Sequence, residues 1–209
     1  MKISLIFILL LFILPACSSQ KENQNSELAM GLLTHQLNNS AMERFQGYVL
    51  GSYASADSLE VSLSELNKAL ELEPNQIELY SNKAKILLEL NRDDDAIHVL
   101  KQALTIKPNF AEAMATIGFL YEKKGINDIA QEWYQKALRA YDKHIEDHHF
   151  VVNSKVNKAL LLFFTENKES AIIAFEKLKK EYPENEEVEF LEQFFTDFDK
   201  DVFLKTFYR

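Results

Sequence analysis

The sequence predicts an all-α chain, an α-α superhelix of about four helical hairpins closed by C-terminal capping helices. Three observations carry this reading. Only five glycines occur in 209 residues, too few for a turn-dense all-β domain or for glycine-rich phosphate loops. Apolar residues make up 47% of the chain, enough to bury a core rather than leave the chain disordered. Pro74 and Pro108 stand 34 residues apart, an interval that invites a search for internal similarity.

The first element is an address. Met1-Lys2 precedes an apolar run, Ile3 to Leu14, and then Pro15-Ala16-Cys17, the layout of a charged n-region, an apolar h-region and a small-residue cleavage site. The run is well short of the roughly 20 residues a helix needs to cross a bilayer, so a secretory signal is expected rather than a permanent span. Leu14-Pro15-Ala16-Cys17 resembles the lipobox of bacterial lipoproteins, with Pro15 a less usual occupant. The resemblance implies cleavage of residues 1–16, acylation of Cys17 and a membrane held through that lipid. Several acyl chains on one residue anchor firmly, because each buried methylene contributes about 0.8 kcal/mol. Ser18 in place of Asp favours the outer membrane by resemblance to enterobacterial sorting, and a periplasmic face is expected. Residues 17–27 are then the acylated cysteine and a polar, flexible tether. Cys17 is the chain's only cysteine, which forbids an internal disulfide framework and a Cys-rich zinc site.

Residues 28–183 are expected to form the repeats. With Ile77 as position 1 of a unit, Tyr80 falls at 4, Ala84 at 8, Leu87 at 11, Ala96 at 20, Leu100 at 24, Ala103 at 27 and Pro108 at 32. A unit starting at Ala111 places Met114, Gly118, Tyr121, Ala130, Tyr134 and Ala137 at 4, 8, 11, 20, 24 and 27, with Asp142 where the proline would stand. A third unit from Val152 places Ala159, Leu162, Ala171, Phe175 and Leu178 at 8, 11, 20, 24 and 27. Counting back from Pro74 starts a degenerate unit at Glu43, with Leu50 or Gly47 at position 8 and Tyr53 at 11. The units span about 43–76, 77–110, 111–151 and 152–183. Small residues at 8, 20 and 27 let two helices approach closely while large ones beside them fill the space. This pattern resembles the tetratricopeptide repeat.

The extra residues of the Ala111 unit lie around Asp142 to Val151, without Pro or Gly, and are expected to lengthen its second helix from about Asn127 to Asp147. Residues 184–209 are the cap and an aromatic tail. Val188, Leu191 and Phe194 or Phe195 space one buried stripe, and the aromatics beyond Thr196 are expected to pack on the last hairpin, to fold back into the groove, or to serve a homo-oligomer contact.

The resemblance implies that first-helix positions 2, 5, 6, 9, 12 and 13 line a groove for a protein or peptide partner. These are Glu78, Ser81, Asn82, Lys85, Leu88 and Glu89, then Glu112, Ala115, Thr116, Phe119, Glu122 and Lys123. The third unit supplies Asn153, Val156, Asn157, Leu160, Phe163 and Phe164, an apolar patch. Chaperone cofactors of this family grip an acidic peptide terminus with a carboxylate clamp. Here Gly47 and Gly51 stand at its first pair, Asn82 keeps the middle place, and Glu112 with Thr116 replace the final cations, so an acidic terminus would meet repulsion.

A net charge of −9 argues against a nucleic-acid partner, whose affinity would need clustered Lys and Arg. His144 and His148 are four apart, which brings both onto one helical face where a metal could bind. A zinc-protease helix needs Glu directly after the first His, and Ile145 stands there. No serine elbow, buried carboxylate pair or Cys-His couple is evident. The reading is a noncatalytic scaffold without cofactor or metal, aiding assembly of an envelope or secretion complex. The alternatives are a metal enzyme or enzyme subunit using His144 to His149, and a self-associating structural lipoprotein.

Overall fold

The computed structural model describes residues 15–52 and 55–206, and every regular element among them is a helix. Residues 1–14 of the expected signal segment 1–16, Tyr53, Phe207 and Tyr208 lie outside the described residues, as does the side chain of Cys17. The chain divides into two compact units, Met1–Leu79 and Tyr80–Arg209.

In the first unit α1 (Pro15–Val49) packs against α2 (Asp57–Leu72) as a hairpin. Ala41, Leu59, Leu66 and Ala69 are completely buried. Ser62 Oγ donates to the Ala41 carbonyl at 3.0 Å, and Glu65 accepts from Ser40 at 2.9 Å. Two expectations are corrected here. α1 runs without a break through residues 18–27, the expected tether, because that stretch has no Pro or Gly to interrupt a helix. The register counted back from Pro74 also fails on the first helix. Leu50 is 79% exposed, Gly47 is half-buried, and the small residue facing α2 is Ala41. The reason is the helix stop. Gly51 takes φ +74°, and Ser52 N–H reaches the Gly47 carbonyl at 2.7 Å, a left-handed C-terminal cap that glycine adopts at no steric cost. The hairpin's first helix therefore lies upstream of the stretch the count assigned to it.

The second unit takes in α3 (Ile77–Glu89) from Tyr80 onward. There follow α4 (Asp93–Ile106), α5 (Ala111–Lys123), α6 (Asn127–Glu146), α7 (Val151–Thr165) and α8 (Lys168–Glu181). Three short helices close it: α9 (Glu186–Phe190), α10 (Glu192–Asp197) and α11 (Lys200–Thr206). Asn91 (φ +56°) and Gly125 (φ +74°) end α3 and α5 as Gly51 ends α1. Arg92 N–H bonds to the Leu87 carbonyl at 2.8 Å and Ile126 N–H to that of Tyr121 at 2.9 Å. α4 opens on Asp93, Asp94 and Asp95, where carboxylates favour the positive end of the helix dipole. Lys123 reaches Asp93 at 3.0 Å and Lys124 pairs with Asp94, tying the end of α5 to the start of α4.

The small residues of the repeat pattern lie inside the hairpins. Ala96, Ala103, Ala130, Ala137 and Ala171 are completely buried, and Ala84 and Ala159 are 3% exposed. α6 runs to 20 residues where α4 and α8 each have 14, so much of the expected insertion extends this helix. It stops at Glu146 because His148 turns into the left-handed region (φ +56°), with His149 N–H on the His144 carbonyl at 2.8 Å. One apolar core runs from Ala111 through Tyr134, Phe164 and Phe175 to Phe195 and Phe198.

Candidate functional site: a helical wall and its C-terminal cover

The first helices α3, α5 and α7 carry the residues that the repeat register assigns to a partner groove. The structure divides them into an open polar part and a covered aromatic part. Ser81, Lys85 and Leu88 of α3 meet Phe110, Glu112 and Thr116 around a cleft of about 150 Å³. Lys85 Nζ lies 3.4 Å from Asn82 Oδ1, and Asn82 is buried. Thr116 Oγ1 donates to the Glu112 carbonyl at 2.9 Å, which turns its hydroxyl back onto its own helix. Glu89 is half-buried and Lys123 is committed to Asp93. Glu78 falls in the first unit, where its carboxylate accepts from Asn38 at 3.4 Å.

The aromatic part is occupied. Phe119, Phe163 and Phe164 are only 5%, 6% and 4% exposed, because the chain's own C-terminal segment lies over them. Phe198 packs on Phe163 with ring centroids 4.0 Å apart. Phe203 stands 5.3 Å from Phe119 and 5.6 Å from Phe164, edge to face in both cases. The structure shows the tail packed on the last hairpin through Phe163 and Lys168 and folded back onto the first-helix wall through Phe119 and Phe164. Phe198 and Phe203 are thereby engaged within the chain, while Phe190 at 85% and Phe194 at 39% are exposed. Asn153 stays exposed, and Asn157 and Leu160 are half-buried at the edge of this patch.

Polar contacts fasten the cover. Lys200 forms an ion pair with Glu122 and lies 5.6 Å over the Phe164 ring. Lys168 Nζ donates to the Phe198 carbonyl at 3.1 Å. Glu122 also accepts from the Tyr134 hydroxyl at 2.6 Å. Burial first, and then this bond to a carboxylate, push the Tyr134 phenol far above its ordinary pKa, so it remains a donor that holds Glu122 in place. Sequence reasoning named Phe119, Phe163, Phe164 and Glu122 and offered the aromatics beyond Thr196 as a cover for them, but it did not name Lys200. The density of aromatics after Thr196 was the signal for the cover.

The histidine reading is corrected by the helix end. His144 is buried against Tyr141, at 6.3 Å between rings, while His148 lies past the last turn and is exposed. The two share no helical face. Among the described residues, no three His, Cys, Asp or Glu are grouped to hold a metal.

Models of tetratricopeptide repeats match residues 65–98, 84–125, 111–144 and 152–185. This chain carries tetratricopeptide repeats. Over 92 residues it is 33% identical to small glutamine-rich tetratricopeptide repeat-containing protein 2 of Mycosarcoma maydis, covering 44% of this chain and 24% of that one. It is 29% identical over 84 residues to the Hsp70-Hsp90 organising protein of Plasmodium falciparum, covering 40% and 15%. The chain thus spans less than a quarter of the length of these curated relatives. Among solved structures, a tetratricopeptide repeat protein from Parabacteroides merdae aligns over 90% of this chain and 66% of its own, with a TM-score of 0.54 and 21% identity. The TPR domain of P58(IPK) aligns over 81% and 46%, with a TM-score of 0.50 and 20% identity. These likenesses concern the fold: helical hairpins of the tetratricopeptide type.

Proposed function

We propose that this protein is a noncatalytic adaptor that binds a protein or peptide partner along its first-helix wall and is held in a bacterial envelope by acylated Cys17. The observation that carries the adaptor reading is the convergence of Ser81, Lys85, Glu112 and Thr116 on one open cleft within matched repeats. A preformed helical wall loses little entropy on binding, so only the incoming chain must be ordered. Glu112 and Thr116 stand where the clamp's final cations would be, so an acidic terminus would meet repulsion there. The lipid anchor is supported by Leu14-Pro15-Ala16-Cys17 and the apolar run before it, and the outer membrane by Ser18. With these, aid to assembly of an envelope or secretion complex is the task that fits.

A photo-crosslinking residue at Thr116 tests the reading in intact cells. The expected result is one discrete protein adduct recovered with the membrane fraction, and release of the chain from that fraction by Cys17→Ser. The absence of an adduct contradicts the adaptor, and unchanged membrane partition of the variant contradicts the anchor.

A further inference from the structure

Phe198 reaches the core, but beyond it the C-terminal cover is attached in the manner of a ligand. α11 has seven residues and none of them is buried; Val202 is 55% exposed. A helix this short is not stable alone in water, so the wall orders it. The cover is held by the rings of Phe198 and Phe203, by Lys200 and by the bond from Lys168 to the Phe198 carbonyl. Phe198 and Phe203, five residues apart, insert against Phe119, Phe163 and Phe164. Lys200 between them meets Glu122, whose side chain is only 9% exposed. A carboxylate so enclosed, held from behind by Tyr134 and facing an aromatic cradle, suits a cationic side chain flanked by aromatic ones.

We propose that residues 198–203 are an intramolecular occupant of a partner site, and that the external ligand of this part of the wall is a polypeptide segment of the same chemistry. That chemistry is two aromatic side chains five positions apart with a cation two positions after the first, as in Phe198-Asp199-Lys200-Asp201-Val202-Phe203. The proposal rests on the adaptor reading and specifies its ligand. The tethered segment competes at high effective concentration, so an external segment binds weakly until the cover is loosened, its apparent affinity scaling with the open fraction.

The test uses the full chain and a fluorescent peptide of residues 197–206, with binding followed by polarisation. Lys200→Glu removes the ion pair and Phe203→Ala one ring; neither residue lies in the core, and circular dichroism checks that each variant is folded. Both chains are expected to bind the peptide at least about tenfold more tightly than the unaltered chain does. A peptide with alanine in place of both phenylalanines is expected not to bind. Equal affinity for altered and unaltered chains, or no binding by any of them, overturns the proposal. That failure would leave a Thr116 adduct untouched, which separates it from failure of the adaptor reading.

Discussion

Gly118→Ala is expected to destabilise the second unit by about 1–3 kcal/mol, although alanine is the better helix former by about 1 kcal/mol. Geometry decides the sign. A methyl on Gly118 would stand 2.5 Å from Tyr134 Cδ1 and closer still to Cε1. Tyr134 cannot step aside: it is completely buried, with Phe119 and Phe164 each at 5.5 Å and its hydroxyl bonded to Glu122. Overpacking in such surroundings forces the ring off its rotamer or spreads α5 from α6. Urea denaturation followed by circular dichroism measures the loss. The double variant Gly118→Ala with Tyr134→Ala should lose less than the sum of the single changes, since the clash is removed with the ring.

Phe195→Ala is expected to cost about 3–5 kcal/mol, the range for emptying a buried phenylalanine site. Its ring is 2% exposed, stacked on Phe175 at 4.1 Å with 9° between planes, and tilted against Phe163 at 5.6 Å. Phe163 also carries Phe198, so the loss should spread to the cover. Denaturation gives the magnitude, and amide exchange should show earlier opening of α10 and α11 than of α4. A loss below 1 kcal/mol with unchanged exchange would mean that Phe195 does not join the cap to the last hairpin.

The hairpin pairings of the second unit were legible because they rest on local constraints. Ala84, Ala96, Ala103, Gly118, Ala130 and Ala137 recur at short, fixed separations, and each excludes a larger side chain for a reason within its own unit. The first unit was less legible because Ala41, the residue that meets α2, lies among polar Thr34 and Asn38, themselves buried, which mask the apolar period. Gly51 did carry the stop, read as a cap rather than as a loop glycine. For the site, the wall residues followed from the register. The pairing of Lys200 with Glu122 did not, since it joins side chains far apart in sequence and needs the fold to bring them together. His144 and His148 show the reverse error: a four-residue spacing implies a shared face only while the helix continues, and it ends at Glu146.

The central claim is that the C-terminal segment lies over the aromatic end of the first-helix wall. Carbodiimide coupling of the unaltered monomer, followed by peptide mass spectrometry, tests it directly, because the reagent joins a lysine to a carboxylate only where the two already pair. Lys155–Glu181 and Lys179–Glu192 serve as internal standards. The account predicts an intramolecular Lys200–Glu122 link alongside both. Recovery of the two standards without that link would contradict it.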